Sequence, residues 1–296
     1  MGGWISSVFS STAKLHFSAD ISCLKIHFSA LRVCEFAARF LGGSGFIAYF
    51  CALNSLSYLI MTPYTDLFCD FDDTLYDTRG NAILALAELY DFFHLENHFE
   101  RPELFFDAYW KTNVELWGLY AKGEIERHYL IVERFRRPLS LGRGLEEVSE
   151  ERCLEISDKF LALCAVKPGL VEGAKELVDY LRAKGYRLHI CSNGFHEVQY
   201  KKLRACGLLE CFETIVLSED AGANKPSKQF FDYALEVTKA DPKRTLMIGD
   251  NFSTDIQGAM GAGIDTLFFN RWQADFVPPQ QPTFMVNRLK EIEGIL

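Results

Sequence analysis

The feature that most constrains the fold is an alternation of strand and helix signals in the C-terminal half of the chain. Pro168-Gly169 leads into an amphipathic stretch, Val171 to Lys184, which Gly185 ends. Apolar runs follow at Tyr186–Cys191, Phe212–Leu217, Thr245–Ile248 and Thr266–Phe269. Helical patterns over Glu197–Ala205, Pro226–Lys239 and Thr254–Met260 separate them. Strands joined through helices pair in parallel, with right-handed crossovers, in an open sheet covered on both faces. Such a sheet binds ligands in the crevice at the carboxyl ends of its strands. The tail, Val286 to Ile295, predicts one last short helix.

One more strand precedes the alternation. Thr65 to Cys69 is apolar and β-branched, and it ends abruptly in Asp70-Phe71-Asp72-Asp73-Thr74. Asp70 and Asp72 lie two apart, so in extended chain they point the same way. Carboxylates this dense are costly unless a cation shares them. Taken alone the run also fits a turn or a helix N-cap. The later strands deliver polar groups to the same rim. Ser192-Asn193-Gly194 follows the second, Lys225-Pro226 follows the third, and Gly249-Asp250 follows the fourth, with Asp255 five residues on. Each piece has an ordinary reading: a strand-to-helix turn, a solvated lysine, an acid in the first turn of a helix. Asp255 stays open between that last reading and orienting Lys225 or a water. Their common order, each after its own strand, is what carries weight.

Between Thr74 and Pro168 no strand signal appears. Helical spacing covers Asn81–Leu95, Pro102 to about Ala121, Glu124 to about Arg137, and Glu147–Ala165. This predicts a helical module over residues 81–165, inserted after the first strand of a core made of residues 61–80 and 166–296. Its second helix carries Phe106, Trp110, Asn113, Trp117 and Tyr120 on one face. That stripe reads first as the module's own core and second as a platform for a base. Glu124, Arg127 and His128 are open between the cleft and a solvated face.

Residues 1–60 differ in composition, with a Gly-Gly-Ser-Gly patch and only six charges. Phe46 to Met61 is almost continuously apolar but shorter than the roughly 20 residues a membrane helix needs. The leading reading is a poorly ordered extension, from a start codon placed too far upstream. A membrane anchor and an extra packed helix are the alternatives. The net charge of −9 argues against a sequence-independent grip on nucleic acid. Nine cysteines without paired spacing fit reduced thiols, hence a cytoplasmic protein with no membrane partner.

With D-x-D-x-T, S-N-G, K-P and G-D-x-x-x-x-D in order, residues 65–271 resemble the haloacid dehalogenase (HAD) superfamily of phosphohydrolases. The inserted module stands where that superfamily carries a helical cap, here of the C1 type. The run Gly249–Ala259 is similar to its YjjG-like pyrimidine 5'-nucleotidase branch. Asp73 stands where the family often has Gly. The resemblance implies an α/β fold with a Rossmann-like parallel sheet as the HAD core. It implies a phosphatase acting on small phosphorylated metabolites, nucleotides foremost, through an aspartyl-phosphate. Asp70 would be the nucleophile and Asp72 the acid and base. Mg²⁺ would be held by Asp70, Asp250 and the carbonyl of Asp72. Thr74, Ser192, Asn193, Gly194 and Lys225 would contact the phosphoryl group, Ser192 and Lys225 taking part in catalysis, with Asp255 supporting from behind. A sugar-phosphate phosphatase or a phosphomutase would share every motif. A receiver-like phosphorylated switch is disfavoured because Lys225 precedes Asp250. A membrane-tethered binding protein is supported only by Phe46–Met61.

Overall fold

The computed structural model describes residues 64–273 and 277–296. The readings for residues 1–60, the apolar Phe46–Met61 run included, lie outside the described residues. Six strands form one parallel sheet: β1 (Asp66–Cys69), β2 (Arg187–Ser192), β3 (Thr214–Leu217), β4 (Thr245–Gly249), β5 (Asp265–Phe269) and β6 (Phe284–Val286). Their spatial order is β3-β2-β1-β4-β5-β6. The chain builds outward from β1 on one side and then, from β4, on the other. The strand order therefore reverses between β1 and β4, which is where such sheets open a crevice.

Register brings the motif residues level. Cys69 pairs with Ile190 of β2 on one side and Ile248 of β4 on the other. Asp70, the Cys191–Ser192 pair and the Gly249–Asp250 pair thus leave the sheet at the same height. The pleat sends alternate side chains to opposite faces. Leu67, Ile190, Leu246, Ile248 and Leu267 pack with Leu177, Val178 and Leu181 of α5 (Ala174–Ala183). Phe68 and Met247 face the other way, onto Phe230, Phe231 and Ala234 of α8 (Lys228–Thr238). Both faces being covered explains why the central strands read as continuous apolar runs rather than alternating ones.

Four of the helices between β1 and β2 pack as one bundle ahead of α5: α1 (Thr78–Phe92), α2 (Pro102–Ala121), α3 (Arg127–Leu139) and α4 (Glu150–Cys164). They share a core of Leu89, Phe105, Tyr109, Phe135, Ile156 and Phe160. Helix α1 begins three residues earlier than its apolar spacing predicts, because Asp77 caps it by accepting from the Gly80 amide. Ser149 does the same for α4, accepting from the Arg152 amide at 3.2 Å. The buried face of α2 is Phe105, Tyr109, Thr112 and Leu116, one step round from the aromatic stripe read as core. The stripe is half-buried instead, and Trp110, Asn113 and Trp117 line a cavity.

Three short helices complete the α/β part: α6 (His196–Ala205), α7 (Ser218–Ala221) and α9 (Gln257–Gly261). A π turn over Phe252–Ile256 precedes α9, so the helix expected from Thr254 starts wider than an α-helix. The tail forms the expected short helix as a 3-10 turn, Leu289–Gly294. Strand β6 was not anticipated. It has three residues and extends the sheet beyond β5.

The centre of the sheet carries the stability. Ile190 is fully buried in β2 against the α5 face. Ile190→Ala is expected to cost about 2–5 kcal/mol through lost burial and the residual cavity. Urea unfolding, with a lowered midpoint at unchanged slope, measures it.

Candidate active site

The carboxyl ends of β1, β2 and β4 meet around one ammonium group. Lys225 lies in the loop before α8 and is 1% exposed. Its Nζ donates to Asp70 Oδ1, Asp255 Oδ1 and the Cys191 carbonyl, each at 2.7 Å. All three protons of the ammonium are used. Burial alone would strip such a group of charge, but Asp255 and Asp70 outweigh it and hold the proton more tightly than in water. The solvated-lysine reading of Lys225 is therefore set aside. Asp255 likewise belongs to this group rather than to a solvated helix end. It is buried, and its Oδ2 accepts from the Asn251 amide at 3.1 Å.

Asp70 and Asp250 stand side by side. Burial, with the charges of Asp255 and Asp72 behind it, pushes Asp70 up to about 7 against the pull of Lys225. Asp250 is raised well above the usual carboxylate range, first by burial and then by the charge of Asp70. Among the described residues no basic group comes within ion-pair distance of Asp250. One oxygen each from Asp70, Asp250 and Asp255 lies within 4.8 Å of the others. Asp255 has Oδ1 taken by Lys225 and Thr254 and Oδ2 by the Asn251 amide, whereas Lys225 takes only Oδ1 of Asp70, so the donors are Asp70 and Asp250. Two hard oxygen donors with unbalanced charge fit a small divalent cation that keeps most of its waters, as Mg²⁺ does.

Thr74 is placed differently from the expectation. It is fully buried, and its Oγ1 lies 3.1 Å from both Asp70 Oδ2 and Asp250 Oδ1 and accepts from the Asp250 amide. Its hydroxyl ties the two carboxylates together instead of facing the cavity. Asn193 is also committed. Its Nδ2 donates to the Lys225 carbonyl at 3.0 Å and its Oδ1 accepts from the Lys225 amide at 2.8 Å. This two-way bond fixes the lysine's backbone to the end of β2. Ser192 Oγ accepts from the Gly194 amide at 3.0 Å and from Gln199 Nε2 at 2.8 Å. Both bonds use the oxygen as acceptor, so the hydroxyl proton is left to donate toward the cavity that Ser192 lines.

Sequence reasoning missed the partners of Asp72. Lys202 Nζ donates to its Oδ1 at 2.7 Å, Thr78 Oγ1 does so at 2.7 Å, and Gln199 Nε2 reaches its Oδ2. Burial works against ionisation of Asp72, yet Lys202 and these hydrogen bonds prevail and lower it. Gln199 and Lys202 lie three apart on α6, on the face turned to β1. That spacing was visible in the sequence, but no strand end marks it. Arg271 is the other omission. It pairs with Asp73 and Asp77 and so pins the loop that follows β1. Asp73 has φ of 63°, the left-handed region that explains why Gly suits this position.

The site opens into a cavity of about 610 Å³. The residues at the strand ends form one part of its lining, and Tyr109, Trp110, Asn113, Trp117 and Arg134 of the helical insert form another. Glu124, Arg127 and His128 stay outside the lining. Glu124 is exposed, His128 pairs with Glu150, and Arg127 lies over the Phe195 ring at 4.3 Å.

Close approach at β4 makes one glycine essential. A Cβ on Gly249 would sit 2.3 Å from Asp255 Oδ2 and 2.6 Å from Asp255 Cβ. Gly249→Ala is expected to displace Asp255 from Lys225, costing about 1–3 kcal/mol by overpacking. Thermal unfolding and a hydrolysis assay should fall together.

A haloacid dehalogenase-like hydrolase family model matches residues 67–263. YfnB of Bacillus subtilis, named a HAD hydrolase, is 32% identical over 80% of this chain and 97% of its own. Its magnesium-bound crystal structure superposes with a TM-score of 0.69, at 30% identity, covering 79% of this chain and 98% of that one. The pyrimidine 5'-nucleotidase YjjG of Escherichia coli is 32% identical over 64% of this chain and 82% of its own. A glyceraldehyde 3-phosphate phosphatase of Methanothermobacter thermautotrophicus is 31% identical over 69% and 84%. Sequence, fold and the convergence on Lys225 agree: this chain is an enzyme of the haloacid dehalogenase-like hydrolase family.

Proposed function

We propose that the protein is a Mg²⁺-dependent phosphatase of small phosphomonoesters, foremost pyrimidine nucleoside 5'-monophosphates. The observation that carries this reading is Asp70, buried against Lys225 and beside the unbalanced Asp250, where the rim opens into the cavity. In it, an Asp70 carboxylate oxygen attacks phosphorus, and the ester oxygen leaves with a proton from Asp72. Water, deprotonated by Asp72, then attacks the aspartyl-phosphate and releases inorganic phosphate. Lys202 and Gln199 favour the ionised Asp72, the form that activates water. Its acid form requires substrate arrival to loosen Lys202. Ser192 donates to the phosphoryl oxygens, its Oγ held in place by the Gly194 amide. Lys225 keeps Asp70 in line and balances its charge. Mg²⁺, held by Asp70, Asp250 and the Asp72 carbonyl, would supply the charge neutralisation that lets an anionic phosphoryl group approach these carboxylates.

Residues 81–165 act as the cap and residues 61–80 with 166–296 as the core. The cap supplies aromatic walls, Trp110 and Trp117 among them, that suit a planar base, where stacking is worth about 1–3 kcal/mol. The similarity to YjjG points the same way. Asn224 of the core, whose Nδ2 donates to the Tyr120 carbonyl at 2.8 Å, closes the cap against the catalytic loops. The partners are free metabolites in the cytoplasm. No described helix is long and apolar enough to cross a membrane.

Phosphate release from UMP, CMP and a panel of sugar phosphates, with Mg²⁺ and after chelation, tests the reading. Pyrimidine nucleotides should lead the panel, chelation should abolish release, and Asp70→Asn should remove turnover while the protein stays folded. Turnover retained by that variant would overturn the nucleophile. A sugar phosphate far ahead of UMP would overturn the nucleotide.

A further inference from the structure

One charged side chain in the cavity has no task in the mechanism above. Arg134 lies on α3, inside the helical insert, and is 2% exposed. Its Nη2 donates to Ser157 Oγ of α4 at 2.8 Å. Its Nε has no hydrogen-bond partner. Its guanidinium carbon lies 5.4 Å and 5.6 Å from the ring centroids of Phe135 and Phe160. Among the described residues no carboxylate stands within 4.0 Å of it. A buried guanidinium without an anion is costly, and an orphaned N–H adds to the cost. Such an arrangement persists when a ligand completes it. Arg134 lines the same cavity as Asp70, together with Tyr109, Asn113 and Phe160.

We propose that Arg134 selects the substrate by donating to a planar oxygen acceptor on its non-phosphorylated end. The walls around it are aromatic, which suits an acceptor carried on a flat, conjugated group. A ring carbonyl of a pyrimidine base is one source of that chemistry and the carboxylate of a phosphorylated acid is the other. The guanidinium fork serves either one. The inference rests on the phosphatase reading of the site, and on its nucleotide form for the first source only. Arg134 acts in binding, away from the reacting atoms. Its contribution is therefore present in ground and transition states alike, and its loss raises KM more than it lowers kcat.

The test compares wild type, Arg134→Met and Arg134→Lys on UMP, 2-phosphoglycolate and ribose 5-phosphate. The last has neither acceptor. Losing a hydrogen bond from a charged group is worth a factor of about 10–10². Arg134→Met should lower the kcat/KM ratio of UMP to ribose 5-phosphate by that factor, through KM, with Arg134→Lys in between. A fall in the phosphoglycolate ratio instead would support the acceptor role while removing the nucleotide as its source. A parallel loss on all three substrates, or no change in any ratio, would overturn the proposal. Two further measurements separate selection from folding and from chemistry. The melting temperature of Arg134→Met should stay level or rise, because an apolar side chain replaces a buried unpaired charge. Calorimetric titration of UMP and of phosphoglycolate into Asp70→Asn with and without Arg134→Met should show the same 10–10²-fold weakening for one of them. That binding readout stands even where the turnover reading fails, and equal affinities for both ligands in the two proteins would sink the inference alone.

Discussion

The strand ends at the centre of the sheet are arranged around one buried ammonium ion. Lys225 Nζ spends its three protons on Asp70, Asp255 and the Cys191 carbonyl, so a single cation joins the ends of β1, β2 and β4. Removing one partner of such a group leaves a stranded charge, commonly worth about 3–5 kcal/mol. The neighbourhood is built to prevent that. Asn193 holds the lysine's backbone from both sides, Gly249 leaves room for Asp255, and Thr74 ties Asp70 to Asp250. The balance is incomplete by design. Lys225 answers for Asp70 and Asp255, and Asp250 is left over, which is the electrostatic reason the rim suits a divalent cation.

The sheet makes this convergence possible. Because β1 sits at the point where strand order reverses, its carboxyl end has β2 on one side and β4 on the other. Residues far apart in the chain thereby become neighbours. The helical insert leaves the core directly after β1 and returns before β2, so its residues stand over the same crevice. The proposed chemistry rests on the strand ends and the proposed choice of substrate on the insert. The division is physical: the rim holds carboxylates and a lysine in fixed register, and the insert offers aromatic walls and a buried guanidinium with no carboxylate beside it among the described residues.

Much of this was legible in the sequence, and the exceptions follow a pattern. Strands at Tyr186–Cys191 and Thr245–Ile248 were readable because burial on both faces leaves a continuous apolar run. Asp70, Ser192 and Asp250 were readable because each stands at the end of such a run, Lys225 because it precedes a proline at the mouth of a helix, and all four line one cavity. Strand β6 was not, since three residues after a proline-rich stretch carry no period. Thr74 was assigned to the phosphoryl group by the family resemblance; only the fold shows its hydroxyl engaged between Asp70 and Asp250. Gln199 and Lys202 escaped because helix residues reach the site across space rather than along a strand. Arg134 left a faint trace. It falls on the apolar stripe of α3, between Leu130 and Pro138, where an arginine ought to be unwelcome. The aromatic stripe of α2 was read first as core and second as a platform for a base; it is half-buried, and Trp110, Asn113 and Trp117 border the cavity.

The central claim is that Asp70 itself becomes phosphorylated during turnover, with its neighbours arranged for that event. It is tested most directly by quenching the enzyme in acid during steady hydrolysis, reducing with borohydride and sequencing the peptides by mass spectrometry. An acyl phosphate on Asp70 would be reduced to homoserine, so that residue 70 alone should carry the change. Modification confined to another residue, or an unmodified Asp70 in an enzyme that is turning over, would contradict the account.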